Sequence, residues 1–170
     1  MKQKNKTQIM VLAAMFLAIA FVLPFLTGQI PQIGAMLCPM HFPVILCGFF
    51  CGAPWGFLVG FIAPILRSIV LGMPPMFPKA ICMAVELAAY GLVSGALYKR
   101  LSKKKSNLYV SLILAMICGR IVWGICMFVC MGLTGGEFGF AAFLAGAVTN
   151  AIPGIVLQIV LIPILVMALD

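Results

Sequence analysis

The apolar runs in this chain are long and continuous, and that limits its fold more than any single motif does. Segments of a membrane β-barrel are about ten residues long and alternate in polarity; runs near twenty apolar residues have the length of a helix crossing a hydrocarbon core of about 30 Å. Composition sets the solvent. With 65% hydrophobic residues, a mean hydropathy of +1.24 and only 3 acidic residues in 170, the chain has too little polar surface to cover a water-soluble globule. The sequence therefore predicts an all-α integral membrane protein, a bundle of six transmembrane helices forming one domain over residues 1–170.

The expected spans run from about 8 to 26, 35 to 52, 54 to 71, 78 to 98, 108 to 131 and 139 to 168. The break between the second and third falls in "CGAPWG", where Pro54 disfavours helix at the residue before it and Gly52 permits a tight turn. The first span follows "MKQKNK" as a signal peptide would. The succeeding "PFLTGQIPQIG" offers no good small-residue cleavage site, so a retained helix is expected.

Lys2, Lys4 and Lys6 precede the first span, and "YKRLSKKK", Tyr98 to Lys105, joins the fourth and fifth, while the alternate loops carry almost nothing basic. This asymmetry places both termini in the cytoplasm. The net charge of +8 is then mostly a topology signal, together with attraction to anionic lipid, and no nucleic-acid partner is expected.

Seven cysteines, Cys38, Cys47, Cys51, Cys82, Cys118, Cys126 and Cys130, contain no C-x-x-C pair and are accompanied by one histidine. Cys47 and Cys51, like Cys126 and Cys130, sit one helical turn apart, which suits small apolar packing residues. Neither a metal site nor a cofactor is expected. Gly48, Gly52, Gly56 and Gly60, with Gly91 and Gly95, recur every four positions. That spacing lets helix backbones approach closely in lipid. Ala14 and Ala18 form a similar pair in the first span.

Ionisable residues inside the spans carry the functional question. An ionised side chain at the centre of a span costs about 2.5–3.5 kcal/mol on insertion scales, so His41, Arg67, Lys79, Glu86 and Arg120 are expected to face one another or a cavity. Lys79, Met83, Glu86 and Tyr90 form one helical stripe, and Arg120 shares a face with Trp123. In the last span Gly146, Asn150 and Gly154 line up without bulky side chains, leaving room for a ligand. The expected substrate-binding residues are therefore His41, Arg67, Lys79, Glu86, Tyr90, Arg120, Trp123 and Asn150. The same residues admit structural roles: Lys79 snorkelling to the interface, Glu86 bracing against Arg67 or Arg120, His41 anchoring a loop, and Gln158 bonding between helices.

This order of features resembles a known family. About six helices, an Ala-x-x-x-Ala pair in the first, and "PMHFPVILCGFFCGAPWGFLVGFIAPILRSIV" followed by a proline-rich exit from the third span look like the substrate-binding S components of energy-coupling factor (ECF) transporters. The resemblance covers nearly the whole chain. It implies a multi-pass subunit of the prokaryotic cell membrane that captures a vitamin or related micronutrient from outside for ATP-driven uptake. A transmembrane coupling subunit and two cytoplasmic ATPases would be its partners, and Ala14 and Ala18 its contact with the coupling subunit. The absence of a G-x-x-x-x-G-K-[ST] phosphate loop fits that division of labour.

Two other classes remain open from the residues alone: a self-sufficient small transporter or channel, and a non-transport membrane assembly protein or intramembrane enzyme. No H-E-x-x-H or G-x-S-x-G is present, and no enzymatic activity is expected. Arg67, Lys79 and Arg120 outnumber Glu86 in the half of the bundle assigned to the outer leaflet. The expected ligand therefore carries a negative group, with pantothenate ahead of riboflavin and cobalamin.

Overall fold

The computed structural model describes residues 5–27, 33, 36–101 and 105–169, and among them every regular element is helical. Lys2, Lys4, Lys103 and Lys104, most of the first expected outer loop and Asp170 lie outside the described residues. Helix α1 spans Lys6–Val22 and runs on into a 3-10 segment, Leu23–Thr27; α2 is His41–Cys51 and α3 is Ala53–Leu71. A π-helical turn, Met76–Ala80, leads into α4, Ile81–Arg100, and α5 is Lys105–Leu133. The last pass divides into α6, Phe140–Ala147, a 3-10 turn, Thr149–Ala151, and α7, Ile152–Leu169. Five of the helical segments are long and apolar enough to cross a membrane. Val11, Leu26, Ile69, Phe128 and Leu133 are among many large apolar side chains left exposed, the surface expected where lipid is the solvent.

Helix α2 departs from the span expected at 35–52. Its 11 residues reach about 16 Å at 1.5 Å per residue, half a hydrocarbon core, and every one of them is buried. It is an internal half-helix starting at His41 inside the bundle. At its other end the chain reverses in one residue: Gly52 takes φ +92° and α3 begins at once, with Pro54 in its first turn, where the missing N–H costs nothing.

Burying a helix on all sides requires its neighbours to come close, and the glycines provide this. A Cβ on Gly48 would lie 2.7 Å from the Gly91 carbonyl, one on Gly56 2.6 Å from the same oxygen, and one on Gly60 would strike the Leu87 carbonyl. Gly95 packs likewise against the backbone of Ala53 and Gly48. Helices α2, α3 and α4 thus meet backbone to backbone along a seam of small residues. Gly52, in the same four-residue series, serves the turn instead.

The final pass is not the continuous helix expected over 139–168. Pro153 can neither donate to the carbonyl of residue 149 nor clear it sterically, and the break falls just upstream, with Val148 at φ −122°, ψ −67°. The fourth pass also starts differently. Its first turn is bonded i→i+5, Ala80 N–H donating to Pro75 at 3.0 Å, which alters the angular register of Lys79 relative to α4.

The seam gives a direct test. Gly91→Ala places a methyl group against Gly56 backbone atoms and should destabilise the protein by about 1–3 kcal/mol or more, read as a lower midpoint of detergent-induced unfolding. Gly132→Ala, where nothing lies within 4 Å, should leave that midpoint almost unchanged. Equal effects at the two positions would show that the seam is not under steric constraint.

Candidate functional site

Three helices bring one buried polar cluster together. Glu86 and Tyr90 are one turn apart on α4 and point the same way; His41 opens α2; Arg120 projects from α5. Depth matches across the pair. Arg120 is about 22 Å along α5 from Lys105, and Glu86 about 21 Å along α4 from Arg100, at 1.5 Å per residue. Arg120 Nη1 donates to Glu86 Oε1 at 3.0 Å, and His41 Nε2 lies 3.3 Å from the same oxygen, donating to it in the tautomer protonated there. Arg120 Nη2 also reaches Cys38 Sγ at 3.4 Å. Glu86 and His41 are 2% and 3% exposed, while the Arg120 side chain retains 14%. Arg120 is therefore the member through which the cluster meets its surroundings.

The turn before α2 is shaped to this end. His41 N–H donates to the Cys38 carbonyl at 3.1 Å, and Cys38 has φ +48°, an uncommon conformation for a residue with a Cβ. Tyr90 presents its ring edge-on to His41, with centroids 4.9 Å apart, and lies flat enough on α5 that a Cβ at Gly119 would strike it. The imidazole is thereby fixed by a carboxylate on one side and an aromatic ring on the other.

Electrically, Glu86 and Arg120 cancel. A carboxylate removed from water is tolerated only with such compensation, and the positive end of the α2 dipole adds to it. Hydrogen bonding is less complete. Among the described residues, His41 Nδ1, the Tyr90 hydroxyl and Arg120 Nε are buried with no partner in hydrogen-bonding geometry, and each such group costs about 1–3 kcal/mol. Among the described residues, then, three polar atoms without a hydrogen-bond partner surround one neutralised ion pair.

Only half of the residues expected from the sequence meet here: His41, Glu86, Tyr90 and Arg120. Arg67 is buried but its Nη1 donates to the Phe21 carbonyl at 2.7 Å, with its guanidinium carbon 5.1 Å from the centre of the Phe25 ring. It joins α3 to the C-terminal end of α1, where a cation also complements the helix dipole. Lys79 is exposed because the π turn moves it off the Glu86–Tyr90 stripe. Asn150 is exposed in the 3-10 turn that interrupts the last pass. Trp123 belongs to an aromatic group, 5.9 Å from Phe138 and 6.4 Å from Phe143, and its ring fills the space over Gly146.

The stripe expected to leave room for a ligand is in fact occupied. Trp123 covers Gly146, and the Met36 and Leu37 carbonyls cover Gly154, a Cβ there falling 2.6 Å from the first. Gln158 was expected to bond between helices; it is fully buried, and neither amide atom has a partner among the described residues. Cys38 and Gly119 are the members that sequence reasoning missed. The position of Cys38, three residues before His41 at a helix start, was the available signal. Ala14 and Ala18 are exposed on α1, whose buried face is Ala13, Phe16 and Ala20.

If Glu86 and Arg120 compensate each other, Glu86→Gln or Arg120→Met alone should destabilise the protein by about 3–5 kcal/mol, and the double variant should recover most of that loss. Detergent unfolding of the three variants reads the coupling directly. Additive losses would show that the two side chains do not depend on one another.

A model of the family described as ECF transporter, substrate-specific component, matches residues 8–166. No curated protein and no solved structure matches the chain. A family match over nearly the full length, on an all-helical bundle with five membrane-length segments, agrees with a multi-pass membrane protein and a transport role. The chain belongs to the substrate-specific components of energy-coupling factor transporters.

Proposed function

We propose that this subunit captures a vitamin or related micronutrient from outside the cell and delivers it for ATP-driven uptake through a transmembrane coupling subunit and two cytoplasmic ATPases. Both termini are then cytoplasmic, and the substrate is held by His41, Glu86, Tyr90 and Arg120. The observation that carries this reading is the buried cluster itself: a neutralised ion pair surrounded by three polar atoms that have no partner among the described residues, in a protein whose family is that of transporter substrate-specific components. Arg67, Lys79, Trp123 and Asn150, first expected at the substrate, are assigned no contact with it.

The charge balance favours a different ligand from the one expected on sequence. Of the three cations in that argument, Arg67 is engaged by a backbone carbonyl, Lys79 is exposed, and Arg120 is already matched by Glu86. Within the cluster itself the one arginine is balanced by the one carboxylate, so no positive excess there requires an anion. The cluster suits a vitamin-sized molecule without net charge that accepts from Arg120 Nε and shares hydrogen bonds with Tyr90 and His41. Riboflavin fits that description better than pantothenate.

For the partner, Ala14 and Ala18 are the reading's contact with the coupling subunit. They are exposed on α1, where small side chains let a second helix approach closely. The Ala14→Phe, Ala18→Phe double variant should abolish assembly with the coupling subunit and uptake by whole cells, while titration calorimetry on the isolated subunit finds ligand affinity unchanged. Unimpaired uptake by this variant at normal expression would contradict the assignment of that face.

A further inference from the structure

The most unusual side-chain cluster outside the polar site is built of sulfur. Cys82, near the start of α4, meets Cys126 and Cys130, one turn apart on α5, and the three Sγ atoms all lie within 4.8 Å of one another. The Cys82 and Cys130 sulfurs are 3.7 Å apart. Spacing along the chain showed only the Cys126–Cys130 pair; Cys82 joins it through the packing of α4 on α5. We propose that these three cysteines form a binding site for a single copper(I) ion.

Metal–thiolate bonds of about 2.3 Å put three sulfurs around a trigonal ion about 4 Å apart. One sulfur pair at 3.7 Å and the others no farther apart than 4.8 Å are close to that figure, so a metal could enter with small side-chain rotations. The donor set selects the ion. Soft thiolates favour copper(I), zinc and iron–sulfur clusters; structural zinc sites use four protein ligands and these clusters four cysteines, whereas three thiolates suit a trigonal monovalent d10 ion. Among the described residues no fourth histidine, cysteine or carboxylate joins the group.

Burial and access are also suitable. Cys82 and Cys130 are buried, and Cys126 is partly exposed and offers a way in. Binding replaces thiol protons with the metal, so each thiol that becomes a ligand releases one proton and no electron is transferred. Cys82 is one turn before Glu86 on α4, and Cys126 follows Arg120 on α5. A bound ion would therefore clamp together the two helices that supply the ion pair of the polar cluster.

The full-length protein in detergent, reduced and kept without oxygen, would be titrated with copper(I) against a coloured copper(I) chelator. X-ray absorption would then be recorded on the loaded sample. The expected result is one tightly held equivalent per chain, an all-sulfur shell of three donors, proton release and a higher unfolding temperature. Cys126→Ser, at the least buried member, should lower both affinity and the donor count, and the Cys82→Ser, Cys126→Ser, Cys130→Ser variant should lose the equivalent. Copper retained unchanged by the triple variant, a two-sulfur shell unaffected by Cys126→Ser, or tighter binding of zinc(II) at the same cysteines would overturn the proposal. Because the X-ray measurement is made on the unaltered chain, it decides the question even if a variant fails to fold.

Discussion

One carboxylate in an apolar solvent governs the arrangement of this bundle. Glu86 is almost completely buried, and its Oε1 is approached by Arg120 at 3.0 Å and His41 at 3.3 Å. A lone ion at that depth would be costly, so the helices bearing its partners must arrive at the same level. Helix α5 achieves this by length, with Arg120 near the middle of 29 residues. Helix α2 achieves it by starting inside the bundle, at the histidine itself.

The glycine seam makes that internal start possible. A half-helix buried on every side can sit between α3 and α4 only if backbones nearly touch, as Gly48, Gly56, Gly60, Gly91 and Gly95 allow. Small residues and the ion cluster are thus parts of one solution: close backbone packing positions α2, and α2 positions His41. Arg67 performs a separate task, tying the end of α1 to α3 through the Phe21 carbonyl. That carbonyl and the Phe25 ring account for its burial within the scaffold.

Sequence alone revealed the features that depend on local periodicity. Glu86 and Tyr90 share a face because they are four apart on a regular helix, and the membrane class follows from composition. It failed where local geometry leaves the α-helical register. The π turn at Met76–Ala80 separates Lys79 from the stripe it was assigned to, and Pro153 breaks the last pass so that Asn150 turns outward. Non-local partners were also hidden. Nothing in the sequence near Arg67 indicates a carbonyl of α1, and nothing near Cys82 indicates two cysteines of α5. The charge count behind the anionic-ligand expectation changes for the same reason, since it counted cations by depth without knowing which were already engaged.

The account rests on the claim that the unpaired atoms of the polar cluster are there for a ligand. Tyr90 isolates that claim, because among the described residues no partner meets its buried hydroxyl in hydrogen-bonding geometry, while its ring is held by His41 and Gly119. The most direct measurement is the effect of Tyr90→Phe on two quantities in the same preparation: the unfolding free energy of the ligand-free subunit, and calorimetric affinity for the molecule that mild purification leaves bound. Removing an unsatisfied buried group should stabilise the free subunit by about 1–3 kcal/mol, while losing a hydrogen bond to the ligand should weaken binding by about 0.5–1.5 kcal/mol. Unchanged affinity alongside the gain in stability would contradict the account and leave the cluster as a brace between helices.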